Sequence, residues 1–499
     1  QKTAYEIMPS LVGSEMCIRD SYRDIWAINS AEALMGWDLD TYMPKSAHRY
    51  RGIALGRLST LSQRLMLSEE FRKQYDKARR EKNLTIEEKG ILRVLGRELH
   101  YYDSLPPNFL RELARTTTNA RKSWLIAKKR KRYEKFLPSL KKIIELSRRK
   151  AELLGYKDKP YDALLDLYEE GLTTKRLEPL FRDIKHNLPR IVKKILVKGV
   201  FPMNHELESK KYNKEAMEEL SKELLKRIGY PFNRGRLDVS AHPFTIDISP
   251  NDVRITTWYP EKNFRESLLA TIHEFGHALY ELQISKSLSM TPIGIGVGLG
   301  IHESQSRFWE NIVAKSKQFI DTNLSLFKKH LSILDQYDSF ELYRYFNTVK
   351  PSLIRVKADE VTYNLHILVR FEIEKEMINK DIDPRELPVM WNEKMEKYLG
   401  ITPKNDAEGI LQDVHWSQGS IGYFPTYTIG TLLAAQIARK MDRQIKLYKR
   451  IEEEDYSSIR KWLRERIHKY GSIYTPERLI RIAIGESLDP EVFMEYIRR

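Results

Sequence analysis

The chain has 499 residues, 41% of them hydrophobic and 10% aromatic, enough apolar side chain to bury a large core and to exclude wholesale disorder. Its 85 Lys and Arg outnumber 69 Asp and Glu for a formal charge of +16, and its one cysteine, Cys17, excludes an intrachain disulfide and fits a reducing cytoplasm. No apolar run approaches the roughly 18 residues that a membrane span requires, so no membrane partner is expected.

The first stretch, QKTAYEIMPSLVGSEMCIRDS, has neither the basic n-region nor the continuous apolar segment of a signal peptide. It reads like translated adapter sequence, so residues 1–20, Cys17 included, are set aside as non-native and residues 21–499 are expected to form one catalytic unit. From Tyr22 onward apolar residues recur at i, i+3, i+4 and i+7 between Pro and Gly punctuation, which predicts helix after helix. The fold class is mainly α, with an N-terminal helical lobe expected as a lid over a cleft. Abundant Lys, Glu, Arg and Ile also suit a protein made for high temperature.

The basic stretch 121–150 carries Trp124, Tyr133 and Phe136, aromatics of the kind that stack on bases. Their spacing fits better as the buried stripe of two amphipathic helices broken near Pro138, and no nucleic-acid partner is expected. Residues 236–259, RLDVSAHPFTIDISPNDVRITTWY, alternate β-branched and aromatic residues with polar ones, and SPND reads as a turn. A small antiparallel sheet is predicted there.

Directly after it comes NFRESLLATIHEFGHALYELQ, a helical pattern with no internal Pro. Residues four apart share a helix face, so His273 and His277 converge on one point, while Glu274 lies about 100° around the axis. That is the arrangement of two metal ligands and a general base acting on a metal-held water; the alternative is a pair of partly buried histidines in an apolar helix. A catalytic zinc usually takes three protein ligands and keeps one position open. No third His follows at short spacing. Downstream instead, GIGVGLGIHESQSRFWENI leads through Gly294, Gly296, Gly298 and Gly300 into a second helix predicted to start near His302, with Glu303 facing the first. The glycine spacing is not a dinucleotide fingerprint, and no βαβ unit surrounds it. A His, His, Glu site for one divalent ion per subunit follows, zinc first, with peptide hydrolysis as the reaction class.

Six spaced motifs, HPF (242–244), DVRIT (252–256), HEFGH (273–277), HESQS (302–306), IRVKAD (354–359) and GILQDVHW (409–416), followed by GYFPTY (422–427), occur in order. In them the chain resembles the carboxypeptidase Taq family of metal-dependent carboxypeptidases. The resemblance implies a large helical zincin-like (gluzincin) fold with a deep groove, a homodimer, and a zinc or cobalt exopeptidase that releases single C-terminal residues from peptides with broad specificity. It carries His273, His277 and Glu303 over as metal ligands and Glu274 as the base. An exopeptidase of this kind must bind a free carboxylate, and a guanidinium suits that best. Arg355 is the candidate, with an ion pair to Asp359 on the same helical face as its alternative role. Arg254 is second, unless it ties the strand to the active-site helix. His415 and Tyr423 are candidates to stabilise the oxyanion, by analogy with other zinc peptidases, with Tyr427 as an alternative; each would otherwise be a core residue with one hydrogen bond. His242 lines the cleft or caps the strand end. A zinc endo-oligopeptidase is the rival enzyme reading.

Overall fold

The computed structural model describes residues 14–498, with side chains from Ile18 onward. Residues 1–13 and the side chain of Cys17 therefore lie outside the described residues, and so does most of the segment set aside above. Ser14 to Asp20 are continuous with helix α1, Ser14–Asp40, where Ile18 is buried beside Tyr22 and Ile25. Elsewhere helix follows helix, as the apolar periodicity requires. Among the described residues no helix is long and apolar enough to cross a membrane.

In the basic stretch, one helix runs over Pro107–Arg130 and the next over Leu137–Leu154, with Pro138 in its first turn. Trp124, Tyr133 and Phe136 are buried, and the Trp124 indole donates to the Leu411 carbonyl at 3.0 Å. The three aromatics are core, leaving the basic residues on a solvated face.

The sheet comprises β1, Leu237–Val239, β2, Thr245–Ser249, and β3, Asp252–Thr257, in spatial order β1-β3-β2. It is mixed rather than antiparallel, which corrects the expectation: β2 and β3 form the hairpin around the Pro250–Asn251 turn, but β1 pairs parallel to β3. Residue alternation identifies a strand without naming its neighbour. Here Ser240–Phe244 crosses the end of β3 and hands the chain to its far edge: Ser240 N–H donates to the Thr257 carbonyl at 2.9 Å, and Phe244 N–H to Thr256 Oγ1 at 3.0 Å. Helix α1 lies over one face of this sheet, where the Ser30 hydroxyl donates to the Ile248 carbonyl at 2.6 Å and Tyr42 reaches Asp238 at 2.6 Å.

The helix carrying HEFGH, α2, spans Phe264–Gln283 and is buried on nearly every side, Phe264, Leu268, Ile272, Phe275 and Leu279 belonging to one large core cluster. Its partner α3, Leu299–Arg307, starts three residues before His302. Burial of the carboxylate of Glu169, pushed up to about 8, puts an acceptor against this helix start, and it takes the Gly300 N–H at 2.8 Å. A second core cluster surrounds α4, Glu360–Asn379, and α5, Pro425–Ile445, contributes to both clusters through opposite faces: Leu433 and Ile437 to the first, Leu432 and Ala435 to the second.

Helices α2, α3 and α5 meet at backbone distance because two glycines face α3. A Cβ on Gly276 would stand 2.5 Å from the Gln305 carbonyl oxygen and 2.6 Å from Ser306 Cα, and one on Gly430 would stand 2.6 Å from Glu303 Cβ and Cγ. Neither contact is tolerable, so any larger residue pushes the helices apart. Gly276→Ala is expected to destabilise the protein by about 1–3 kcal/mol in denaturant unfolding. Gly56, in the exposed face of helix His48–Met66 with nothing within 4 Å of its added Cβ, supplies the control. Gly56→Ala should gain about 0.5–1 kcal/mol.

Candidate metal centre and groove

One turn of α2 brings the rings of His273 and His277 to 4.9 Å between centroids. Across from them, α3 presents Glu303 with Oε2 at 3.7 Å from His273 Nε2 and 3.4 Å from His277 Nε2. One ligand atom from each residue lies within 4.8 Å of the others. Two imidazole nitrogens and a carboxylate oxygen form the donor set of a zinc-class divalent ion, and three donors leave a position for water or substrate. The residues fit the ion that the motif spacing implied.

What holds each donor is equally visible. Arg307, one turn after Glu303, donates from Nε to Glu303 Oε1 at 2.7 Å, which leaves Oε2 to face the imidazoles. A π-helical turn, Phe308–Val313, continues α3 and swings Glu310 back, so that its Oε2 meets His273 Nδ1 at 2.8 Å and Arg307 Nη1 at 3.2 Å. His277 Nδ1 lies 2.6 Å from His302 Nδ1.

Burial acts against every charge here, yet the arrangement overrides it at three of them. Burial raises Glu303 and Glu310, but Arg307 and His273 more than reverse this, holding Glu310 at about 2 and Glu303 lower still. Burial lowers His273, and the carboxylates of Glu303 and Glu310 return it above its ordinary value. At His277 burial, helped by His302 and His273, outweighs the opposing Glu303 carboxylate and pushes the ring to about 3, neutral and free to act as a ligand. Glu274 is raised by burial, its Oε2 accepting from Thr245 Oγ1 of β2 at 2.6 Å.

His273, Glu274, His277 and Glu303 line a groove of about 490 Å³ together with Phe244, Asp247, Tyr423, Thr426 and Tyr427. Behind Tyr427 stands a buried charged group. Arg355 donates to Asp413 Oδ1 from Nε at 3.0 Å and Nη2 at 2.9 Å, and Arg370 donates to Asp413 Oδ2 from Nε at 2.7 Å. Arg355 Nη1 also reaches the Tyr363 hydroxyl at 2.8 Å, and its guanidinium lies 5.1 Å from the Tyr427 ring. The ion pair considered for Arg355 and Asp359 does not form. Residues 355–357 make a single 3₁₀ turn, Ala358 is extended, and Asp359 caps α4 by accepting the N–H groups of Val361 at 2.9 Å and Thr362 at 3.0 Å. The two side chains thus never share a helical face.

Of the other sequence candidates, Tyr423 and Tyr427 line the groove with ring centroids 5.3 Å apart, and His415 contacts both, its Nε2 3.4 Å from the Tyr427 hydroxyl. Burial, reinforced by Arg355 and Arg370 against the opposing Asp413, pushes His415 to about 4, so it is neutral at neutral pH. The loop that carries them is pinned by the buried carboxyl of Glu374, which accepts from the Trp416 indole at 2.8 Å and the Gly422 N–H at 2.9 Å. Arg254 and His242 are not brought to the cluster. Arg254 pairs in register with Ile246, on the sheet face opposite Thr245 and Asp247, where it holds Asp252 at 2.7 and 2.8 Å and stacks 4.2 Å from the Trp37 ring. His242 is exposed on the strand crossing, while its neighbour Phe244 lines the groove. Arg307, Glu310, Thr245 and Asp413 were missed. Arg307, four residues after Glu303, was within reach of spacing arguments; Glu310 depends on the π turn, and Thr245 and Asp413 on tertiary contact.

Comparisons with known proteins agree over nearly the whole chain. Residues 18–499 match the family model of the carboxypeptidase Taq (M32) metallopeptidases. Thermostable carboxypeptidase 1 of Pyrococcus furiosus is 48% identical over 479 residues, 96% of both chains, and carboxypeptidase 1 of Bacillus subtilis is 37% identical over 96% of each. The solved structure of the Pyrococcus furiosus carboxypeptidase superposes with a TM-score of 0.97 at 47% identity, covering 99% of each chain.

Asp413 alone balances two buried guanidinium groups, which hold its carboxyl far below the usual aspartate range despite burial. Asp413→Asn is therefore expected to destabilise the protein by about 3–5 kcal/mol. The sign of the pH effect follows: with the folded pKa below the unfolded one, this stabilisation is complete above an unfolded value of about 3.9 and is lost as pH falls below it. Urea unfolding between neutral pH and pH 3 should show the wild type losing stability over a range in which Asp413→Asn is flatter.

Proposed function

Since the chain belongs to the carboxypeptidase Taq (M32) metallopeptidase family, we infer that its groove hydrolyses the last peptide bond of peptides and releases single C-terminal residues with broad specificity. The observation that carries the exopeptidase reading is the charge behind one wall of the groove. Arg355 and Arg370 face a single carboxylate, Asp413, which leaves an excess positive charge behind Tyr427. A substrate carboxylate is the natural partner for that charge.

His273, His277 and Glu303 would hold the ion. Zinc is our assignment, with cobalt as the alternative, one ion per subunit; when bound it polarises the scissile carbonyl and acidifies a water molecule. Glu274 keeps Oε2 on Thr245 and so offers Oε1 as the atom that takes the water proton and returns it to the leaving amine. Its raised pKa suits both halves of that transfer. Tyr423, on the groove wall, donates its hydroxyl proton toward the oxyanion, with neutral His415 placing the tyrosine pair from behind. Arg355 has committed one N–H each from Nε, Nη1 and Nη2, so each terminal nitrogen retains one for the substrate carboxylate, with Tyr427 as the adjoining wall.

The resemblance also supports a homodimer and one catalytic unit over residues 21–499, and the single cysteine supports a cytoplasmic location. Arg254, on the sheet face away from the groove, and His242, exposed on the strand crossing, take no part in this reading.

Zinc-loaded protein should shorten a peptide with a free C-terminus one residue at a time and leave its C-terminal amide intact, as read by mass spectrometry. Equal cleavage of both, or internal fragments, would favour an endo-oligopeptidase and sink the reading. Glu274→Gln should lower kcat by about 10²–10⁴-fold with bound zinc unchanged, whereas Arg355→Met should raise KM roughly ten- to a hundredfold.

A further inference from the structure

His302 belongs to none of the roles above, yet it touches a ligand. His277 turns Nε2 toward Glu303, at 3.4 Å, so that nitrogen must carry the lone pair if it is to bind an ion. The ring proton of neutral His277 is then on Nδ1, which points at His302 Nδ1 from 2.6 Å. His302 Nδ1 must accept, which places the proton of His302 on Nε2. That atom lies 2.7 Å from Glu281 Oε1, an oxygen that also accepts the Gly296 N–H at 3.0 Å. Every link in this chain has one allowed direction, and the direction is set at the far end by a carboxylate that cannot donate.

The surroundings are built to seat the middle member. A Cβ on Gly296 would stand 2.8 Å from His302 Cδ2, so the glycine leaves the space the ring occupies. Tyr280 packs beside the ring with centroids 5.2 Å apart, and the Glu281 side chain is 8% exposed. At Nδ1, His273 meets a carboxylate directly, in Glu310, whereas His277 reaches one at Nδ1 only through a second imidazole. The two ligands are thus oriented by different means.

We propose that His302 is a positioning residue for the metal centre. It fixes the tautomer and ring plane of His277 so that the Nε2 lone pair faces the ion, and Glu281 fixes the tautomer of His302 in turn. This rests on the reading that His273, His277 and Glu303 hold the ion. Groups that orient metal-bound histidines typically contribute a factor of roughly 10–100 in metal affinity.

The test is competition of zinc-loaded protein against a chromophoric chelator, with the visible spectrum of the cobalt-loaded protein as a second readout. His302→Leu and Glu281→Leu should each weaken zinc binding by roughly 10–100-fold and alter the cobalt bands. His302→Asn keeps an amide oxygen near the position of Nδ1, accepts from His277, and should recover most of the lost affinity, which a role in packing alone would not do. A His302→Leu protein that binds zinc within twofold of wild type with an unchanged cobalt spectrum overturns the proposal, and so does a His302→Asn protein as weak as His302→Leu. If the wild type itself binds no ion, it is the metal reading beneath the proposal that fails.

Discussion

The site depends on three helix backbones lying closer than side chains ordinarily permit. Two imidazoles on α2 and one carboxylate on α3 can share an ion only if the two helices approach until Gly276 rests on the Gln305–Ser306 backbone. Behind α3, Gly430 of α5 rests on Glu303 itself. The side chain of Glu303 is pressed between the glycine and its own helix, which removes rotamers that would turn the carboxylate away from the histidines. Packing density, usually discussed as a source of stability, here sets the position of the Glu303 carboxylate.

The second constraint is electrostatic. Ionised carboxylates buried against apolar helices are costly unless paired, and two sets of charged groups around the groove meet that cost by pairing. Arg307 serves Glu303 and Glu310, and Asp413 serves Arg355 and Arg370. The two sets differ in balance. Two carboxylates share one guanidinium beside the histidines, while two guanidinium groups share one carboxylate beyond Tyr427. One end of the site is therefore short of positive charge and suits a divalent cation; the other is short of negative charge and suits a carboxylate. Under the proposed function, this arrangement would orient a peptide with its free end toward Arg355 before any specific side-chain contact is made.

Much of this was legible in the chain order of residues. The spacing of His273 and His277 on an apolar helical pattern, the carboxylate opening the next helix and the turn at Pro250–Asn251 all follow from local periodicity, which is a property of consecutive residues. The parallel pairing of β1 with β3 was not legible, because alternation is the same in either direction. Nor was the partner of Arg355. Counting four residues forward assumes a continuous helix, and a single 3₁₀ turn followed by extended Ala358 breaks it; Asp413 lies far along the chain. Arg254 illustrates the same limit, since its sheet face depends on a register with Ile246 that spacing does not specify.

The sequence alone determined the helical class, the two-histidine turn with its adjacent glutamate and the carboxylate that opens the next helix, because each is encoded within one or two turns of chain. The tertiary structure alone decided which charges balance one another, which sheet face meets the groove and how His302 and Glu310 reach the backs of the two histidines. Those are contacts between elements, and their geometry is set by how closely helices pack, which no run of neighbouring residues contains.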